Sequence, residues 1–204
     1  MGSGDWPVLV AGFFFGMSLI VAIGAQNLYV LRQGVLRQYV PLVVGICAVS
    51  DLALISLGVA LDGAAIGGRE WVLRTLRWAG ALFVFGYAIM AARRACRSRY
   101  VPLGSSWCST SVAAVAAAAL AFTWLNPAAY LDTIVLVGTV ANTTPGREWW
   151  FGGGAAIASV LWFVALGFGA RFLAPLFAHA RSWRALDGFT AVVMVGIGSR
   201  VLLG

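Results

Sequence analysis

Lysine is absent from this 204-residue chain, and all fourteen basic side chains are arginine. Charge of either sign is scarce: 10% of residues are Asp, Glu, Lys or Arg, and only seven of those are acidic, where a soluble domain averages about a quarter charged. Histidine occurs once, at His179, and cysteine three times, at Cys47, Cys96 and Cys108. An odd cysteine count without CxxC spacing argues against a disulfide framework and against a thiolate metal site. No Ser-His-Asp, paired-cysteine or HExxH arrangement is present, so nothing in the chain points to an enzyme or to a cofactor.

What is present is apolar. Hydrophobic residues make up 61% and the mean hydropathy is +0.91, the composition of a polytopic membrane protein. Apolar runs separated by arginine clusters and turn residues predict about six spans, near 7–31, 40–61, 71–92, 111–141, 150–173 and 184–203. Trp6, Trp71, Trp107, Trp149, Trp150 and Trp183 fall at span edges, the depth amphipathic rings prefer, and Trp124 lies off that belt. The N-terminus has an acidic residue, no basic one and no small-residue cleavage pattern, so it reads as the first span rather than a signal peptide.

The connections after spans one, three and five hold Arg32, Arg37, Arg93, Arg94, Arg97, Arg99, Arg171, Arg181 and Arg184. The opposite side holds Arg69, Arg74, Arg77 and Arg147, with Arg200 inside span six. The positive-inside rule then puts both termini outside the cytoplasm. The same distribution explains the net charge of +7 without nucleic acid, because loop arginine orients spans rather than gripping phosphates.

Three spans per half is the arithmetic of a 3+3 inverted repeat, with half-repeats of about 1–100 and 105–204 in a single transmembrane domain over 1–204. The first span of each half has an asparagine-containing interruption, GAQN at 24–27 and WLNP at 124–127, and a tyrosine soon follows at Tyr29 and Tyr130. Span four, at about 31 residues, is too long for one straight helix across a core of about 30 Å. Asn126-Pro127 near its middle has the chemistry of a helix start, since asparagine is a favoured N-cap and proline fits the first turn. The expected fold is therefore an all-α membrane protein with broken helices one and four, Asn27 and Asn126 starting the inner half-helices. Such starts aim N–H groups and a positive dipole end inward, where a carboxylate is the natural guest.

Asp51 and Asp132 lie within otherwise apolar stretches. A carboxylate in hydrocarbon costs roughly 2.5 to 3.5 kcal/mol, and chains keep one where it binds a cation or relays a proton. One carboxylate acceptor and two carboxylates match a dibasic amino acid. Structural alternatives remain open at this point: Asn-Pro as a mere kink, Asp51 as a packing group beside Ser50, Asp132 paired with Arg200, and Gln26 as interhelical glue. Gly12 and Gly16 form a GxxxG expected to pack helices within the chain, and Gly152-Gly153-Gly154 lacks the flanks of a phosphate loop.

The segments IGAQNLYVLRQG at 23–34, CAVSDLALI at 47–55 and TWLNPAAYLDTIVLVG at 123–138 closely resemble those of the lysine exporter (LysE) family of bacterial inner-membrane proteins. The resemblance runs over nearly the whole chain and implies a multi-pass exporter of the inner membrane. Threonine and homoserine exporters of the wider superfamily carry PGPN and NPK, whereas GAQN and LNPxxYLD are the form seen in basic amino acid exporters. Arginine exporters often have His after the NP; here Ala128 stands there, which leaves lysine and arginine both open. Carried over residue by residue, the resemblance points to Gln26, Asn27, Asp51, Asn126, Pro127, Tyr130 and Asp132 as substrate-binding and coupling residues.

The expected function is export of lysine or arginine from the cytoplasm, driven by the proton motive force. The partners implied are the amino acid, protons and the lipid bilayer; a homo-oligomer is allowed, and neither nucleic acid nor a metal is implied. A neutral amino acid exporter is the alternative within the superfamily. A divalent cation exporter is another, although hard-cation sites usually gather more carboxylates. A six-span thiol-electron carrier would need cysteines in the first spans of both halves, and neither has one.

Overall fold

A computed structural model describes residues 4–21, 24–61, 70–96, 111–126, 129–177 and 180–203. Pro127, Cys108, Trp107, Arg69, Arg97, Arg99 and His179 lie outside the described residues. Those that are described are overwhelmingly helical and include no strand. The apolar content demands this result, because a helix satisfies its own backbone groups in a solvent that cannot.

The predicted first span is two helices. Helix α1, Asp5–Ile20, ends before Gly24, and α2, Ala25–Leu36, leaves at 82° to it. Helix α3, Val40–Ala60, matches the predicted second span, and α4, Glu70–Cys96, overruns the third. The predicted fourth span is also divided. Helix α5, Val112–Trp124, stops before Asn126, and the chain resumes as a π-helical segment, Tyr130–Val137, that runs into the short α6, Gly138–Asn142. Helix α7, Glu148–Gly169, continues as a 3₁₀ stretch, Ala170–Phe177, and α8 spans Ala180–Leu203.

Among the described residues, α3 and the segment Glu148–Leu173 are each long and apolar enough to cross a bilayer, and α1 with α2 would make a third crossing if taken together. The apolar stretches 81–93, 112–124 and 130–142 are shorter. At 1.5 Å per residue, thirteen residues reach about 20 Å, less than the hydrocarbon core.

Lipid is as apolar as leucine, so helices here are held by close packing rather than by exclusion of water. Glycine makes that approach possible. Gly12 and Gly16 of α1 lie against the backbone of Phe151 and Ala155 in α7, and Gly154 answers by lying against Leu9 and Phe13. The GxxxG is thus an internal seam, as its sequence suggested, and Gly154 of the triple glycine completes it, while Gly152 faces Val59 of α3 and Gly153 faces open space. Gly58 of α3 meets Gly138 and Ile134 at the end of the π-helical segment. Helices α4 and α8 form a second pair, in which Gly198 abuts the Phe85 ring.

The central core fills the space around the first break. Ala25, Leu28 and Tyr29 of α2 pack with Val43 and Cys47 of α3, Phe122 of α5, Phe163 of α7 and Met194 of α8. Four aromatic rings, Tyr29, Phe83, Tyr87 and Phe122, meet there at centroid distances of 4.7 to 6.5 Å. This packing immobilises the residues next to the break and so positions Gln26 and Asp51.

Arg32 does not lie in a loop. It belongs to the third turn of α2, and its Nη1 pairs with Asp187 Oδ1 of α8, a carboxylate only 5% exposed. The bend between α1 and α2 is the physical reason: α2 turns into the protein and carries Arg32 inward with it.

Candidate functional site

Gly24 opens α2 in an extended conformation, φ −113° and ψ 174°, and serves as its N-cap. Asn27 is therefore inside the first turn and does not start the helix, which corrects the expectation from GAQN. Its amide does a different task. Nδ2 donates to the Ile20 carbonyl at 2.7 Å, closing the frayed end of α1, while Oδ1 accepts from Trp162 Nε1 of α7 at 3.3 Å. One side chain thus bridges both sides of the break to a third helix.

Asp51 sits midway along α3 and is 4% exposed. Ser159 of α7 donates its hydroxyl to Asp51 Oδ2 at 2.8 Å. The Gln26 side chain lies beside both Asp51 and Cys47. Its Nε2 is buried and faces the Asp51 carboxylate without closing to normal hydrogen-bond distance. An orphaned buried donor is rare, because leaving it unpaired costs about 1 to 3 kcal/mol. Next to a carboxylate, this amide is placed where a donor and an acceptor could meet one polar ligand together.

The second break reaches the same region through tryptophan. Trp124, the last residue of α5, donates Nε1 to Ser50 Oγ at 3.1 Å, and its carbonyl accepts the Tyr130 hydroxyl at 2.8 Å. Ser50 precedes Asp51, so Tyr130 and the end of α5 are tied to the turn of α3 that carries the acid. This also explains why Trp124 lies off the interfacial belt. Asn126 occupies the break itself, and its carbonyl accepts from Ala129 N–H at 3.1 Å as the chain turns into its next helix. Its neighbour Pro127 is outside the described residues.

Asp132 is half-buried on the π-helical segment. That segment meets α3 at Gly58, two helical turns from Asp51. Its neighbour Thr133 is 5% exposed and donates its hydroxyl to the Ala129 carbonyl. π-Helical turns are uncommon and concentrate at functional sites, since the wider ladder reorients side chains. The postulated partner Arg200 has no described side chain.

Gln26, Asn27 and Asp51 therefore gather around α7, and Tyr130 joins them through Trp124 and Ser50. Two participants escaped the sequence reading, Ser159 and Trp162. Ser159 is a lone hydroxyl in the apolar run GGGAAIASVLWF, and only its placement opposite Asp51 gives it meaning. Asp187 was missed as well, because it lies close to the arginine-rich connection before span six. Among the described residues no three His, Cys, Asp or Glu side chains gather at metal-ligating distance. Cys47 is buried and Cys96 exposed, both as free thiols.

Comparison with known proteins identifies the family. A candidate amino-acid transporter of Mycobacterium tuberculosis is 45% identical over 188 residues, covering 92% of each chain. The lysine exporter LysE of Corynebacterium efficiens is 33% identical over 225 residues, covering 96% of this chain and 98% of its own. The arginine exporter ArgO of Salmonella enteritidis is 36% identical over 186 residues, covering 90% and 87%. No solved structure matches significantly. The family model for LysE type translocators matches residues 17–204, a range that includes both helix breaks and every residue of the cluster around Asp51, and the chain belongs to that family.

Proposed function

We propose that this translocator exports basic L-amino acids, lysine or arginine, from the cytoplasm in exchange for protons. The observation that carries the reading is Asp51, sealed within α3 beside the orphaned amide of Gln26. A buried carboxylate suits a cationic cargo, and a spare N–H donor next to it suits the cargo's own carboxylate. The names of the lysine and arginine exporters support the same substrate class.

In this mechanism Asp51 alternates between the substrate cation and a proton, with Ser159 holding its second oxygen. Asn126, Tyr130 and Asp132 form the other wall, with Asp132 meeting the second cationic group, and Pro127 is retained as a binding residue on the resemblance to the family alone. The carrier is a single transmembrane domain with a 3+3 inverted repeat of about six spans, both termini outside, and rocks between two access states. Expelling a cation from a negative interior works against roughly 2.3 kcal/mol per charge per 100 mV, so passive release stalls and coupling is required. The sequence has no ATP-binding signature, and the resemblance to the exporter family favours the proton gradient as the source.

The test is to feed cells a lysine- or arginine-containing dipeptide and measure the amino acid that appears outside, with and without an uncoupler. Export of lysine or arginine that the uncoupler abolishes supports the mechanism. Preferential release of a neutral amino acid would assign the threonine type of transport instead.

A further inference from the structure

Away from the intramembrane cluster, two arginines share one cavity. It has a volume of about 500 Å³ and lies where the end of α2, the start of α3 and the end of α7 meet. Arg37 and Arg171 both line it and both are exposed. Neither has a carboxylate at ion-pairing distance among the described residues. Close approach of Gly34 to Gly167 draws the two helix ends together and makes these like charges neighbours. Unpaired arginines brought together invite an anion, and the N-terminus of α3, at Val40 in the cavity wall, adds a positive dipole end.

The surroundings decide which anion. Phe168 and Phe172 form the outer wall and are 40% and 73% exposed, with Leu173 at 39% continuing the apolar surface. Arg171 lies over the Phe172 ring, 4.9 Å from its centroid, which holds the guanidinium at the boundary between polar mouth and apolar flank. A free phosphate has no use for an apolar flank. A phospholipid brings a phosphate and acyl chains together, and basic pockets between helices are suited to such headgroups. We propose that this cavity binds an anionic phospholipid, its phosphate between Arg37 and Arg171 and its chains along Phe168, Phe172 and Leu173.

The full-length protein, purified in detergent, can be titrated with equimolar phosphatidylglycerol and phosphatidylcholine and read by native mass spectrometry. The expected result is a preference for phosphatidylglycerol of about tenfold. R37Q/R171Q should lose that preference, R37K/R171K should keep most of it, and R181Q/R184Q, which removes two exposed arginines outside the cavity, should leave it unchanged. If R37Q/R171Q fails to fold, F172A serves instead: retention of phosphatidylglycerol should drop about threefold with both charges intact. An undiminished preference in R37Q/R171Q, or undiminished retention in F172A, overturns the proposal. So does displacement of the lipid by millimolar inorganic phosphate, which would assign the cavity to a soluble anion.

Discussion

Asp51 stands out among the acids because burial is nearly complete and the partners around it are neutral: a serine hydroxyl, an amide and a thiol. No structural cation offsets it within that set, unlike Asp187, which has Arg32. On the proposed mechanism this difference separates a carboxylate that exchanges partners from one that holds helices together. Asp51→Asn should therefore reduce export of a basic amino acid from preloaded vesicles by at least about 100-fold, in line with loss of a charge-pair contact of about 3 kcal/mol. Normal export by that variant would remove Asp51 from the mechanism. Ser159→Ala should be milder, a fall of about 10-fold, because a hydrogen bond to a charged group contributes about 1.5 to 3 kcal/mol. Its melting temperature should fall only modestly, since the substitution removes a single hydroxyl and leaves the β-carbon and the surrounding packing in place. The motif GAQN made Gln26 and Asn27 legible as residues of interest. It could not say that Asn27 ties α1 to α7, because its two partners, Ile20 and Trp162, are defined only by the bend.

At the scale of elements, two devices govern the helices. The first is the glycine seam between α1 and α7. Gly154→Val places a side chain against the Leu9 carbonyl, and overpacking of this kind costs about 1 to 3 kcal/mol. The expected outcome is a lower thermal midpoint in detergent, while Gly153→Val, at a position with open space around it, should leave the midpoint nearly unchanged. The second device is the Arg32–Asp187 pair, which locks α2 to α8. Arg32→Gln removes the cation that faces a buried carboxylate and should cost about 3 to 5 kcal/mol, and Asp187→Asn added to it should recover part of that loss. A double variant no more stable than the single one would show that the pair matters little. Helix α3 was legible in the sequence almost to the residue, since an unbroken apolar run with turn residues on both sides has one reading. The division of span one was legible only as an interruption. Hydropathy averages over residues and does not register a bend.

For the whole molecule, the arginine distribution carries a prediction about sidedness. Cys96 is exposed at the end of α4 beside the arginine-rich third connection, and Cys47 is buried. In a Cys108→Ser background, a membrane-impermeant maleimide should label Cys96 in inverted vesicles and leave it untouched in intact cells, with Cys47 unlabelled in both. Labelling from outside the cell would reverse the orientation drawn from the positive-inside rule.

Composition alone determined the class of this protein: with 61% hydrophobic residues and 10% charged, the chain has too little polar surface to face water and must form helices in lipid. Three short motifs determined the family, because their residues and their order are specific without any knowledge of contacts. The tertiary structure decided the partners. Ser159, Trp162 and Trp124 acquire roles through distances spanning 74 to 135 positions in the chain, and Arg32 moves from a loop charge to a buried ion pair because α2 folds inward. Periodicity and composition are local properties of a sequence, whereas a binding site is made by segments that meet only after the helices have packed.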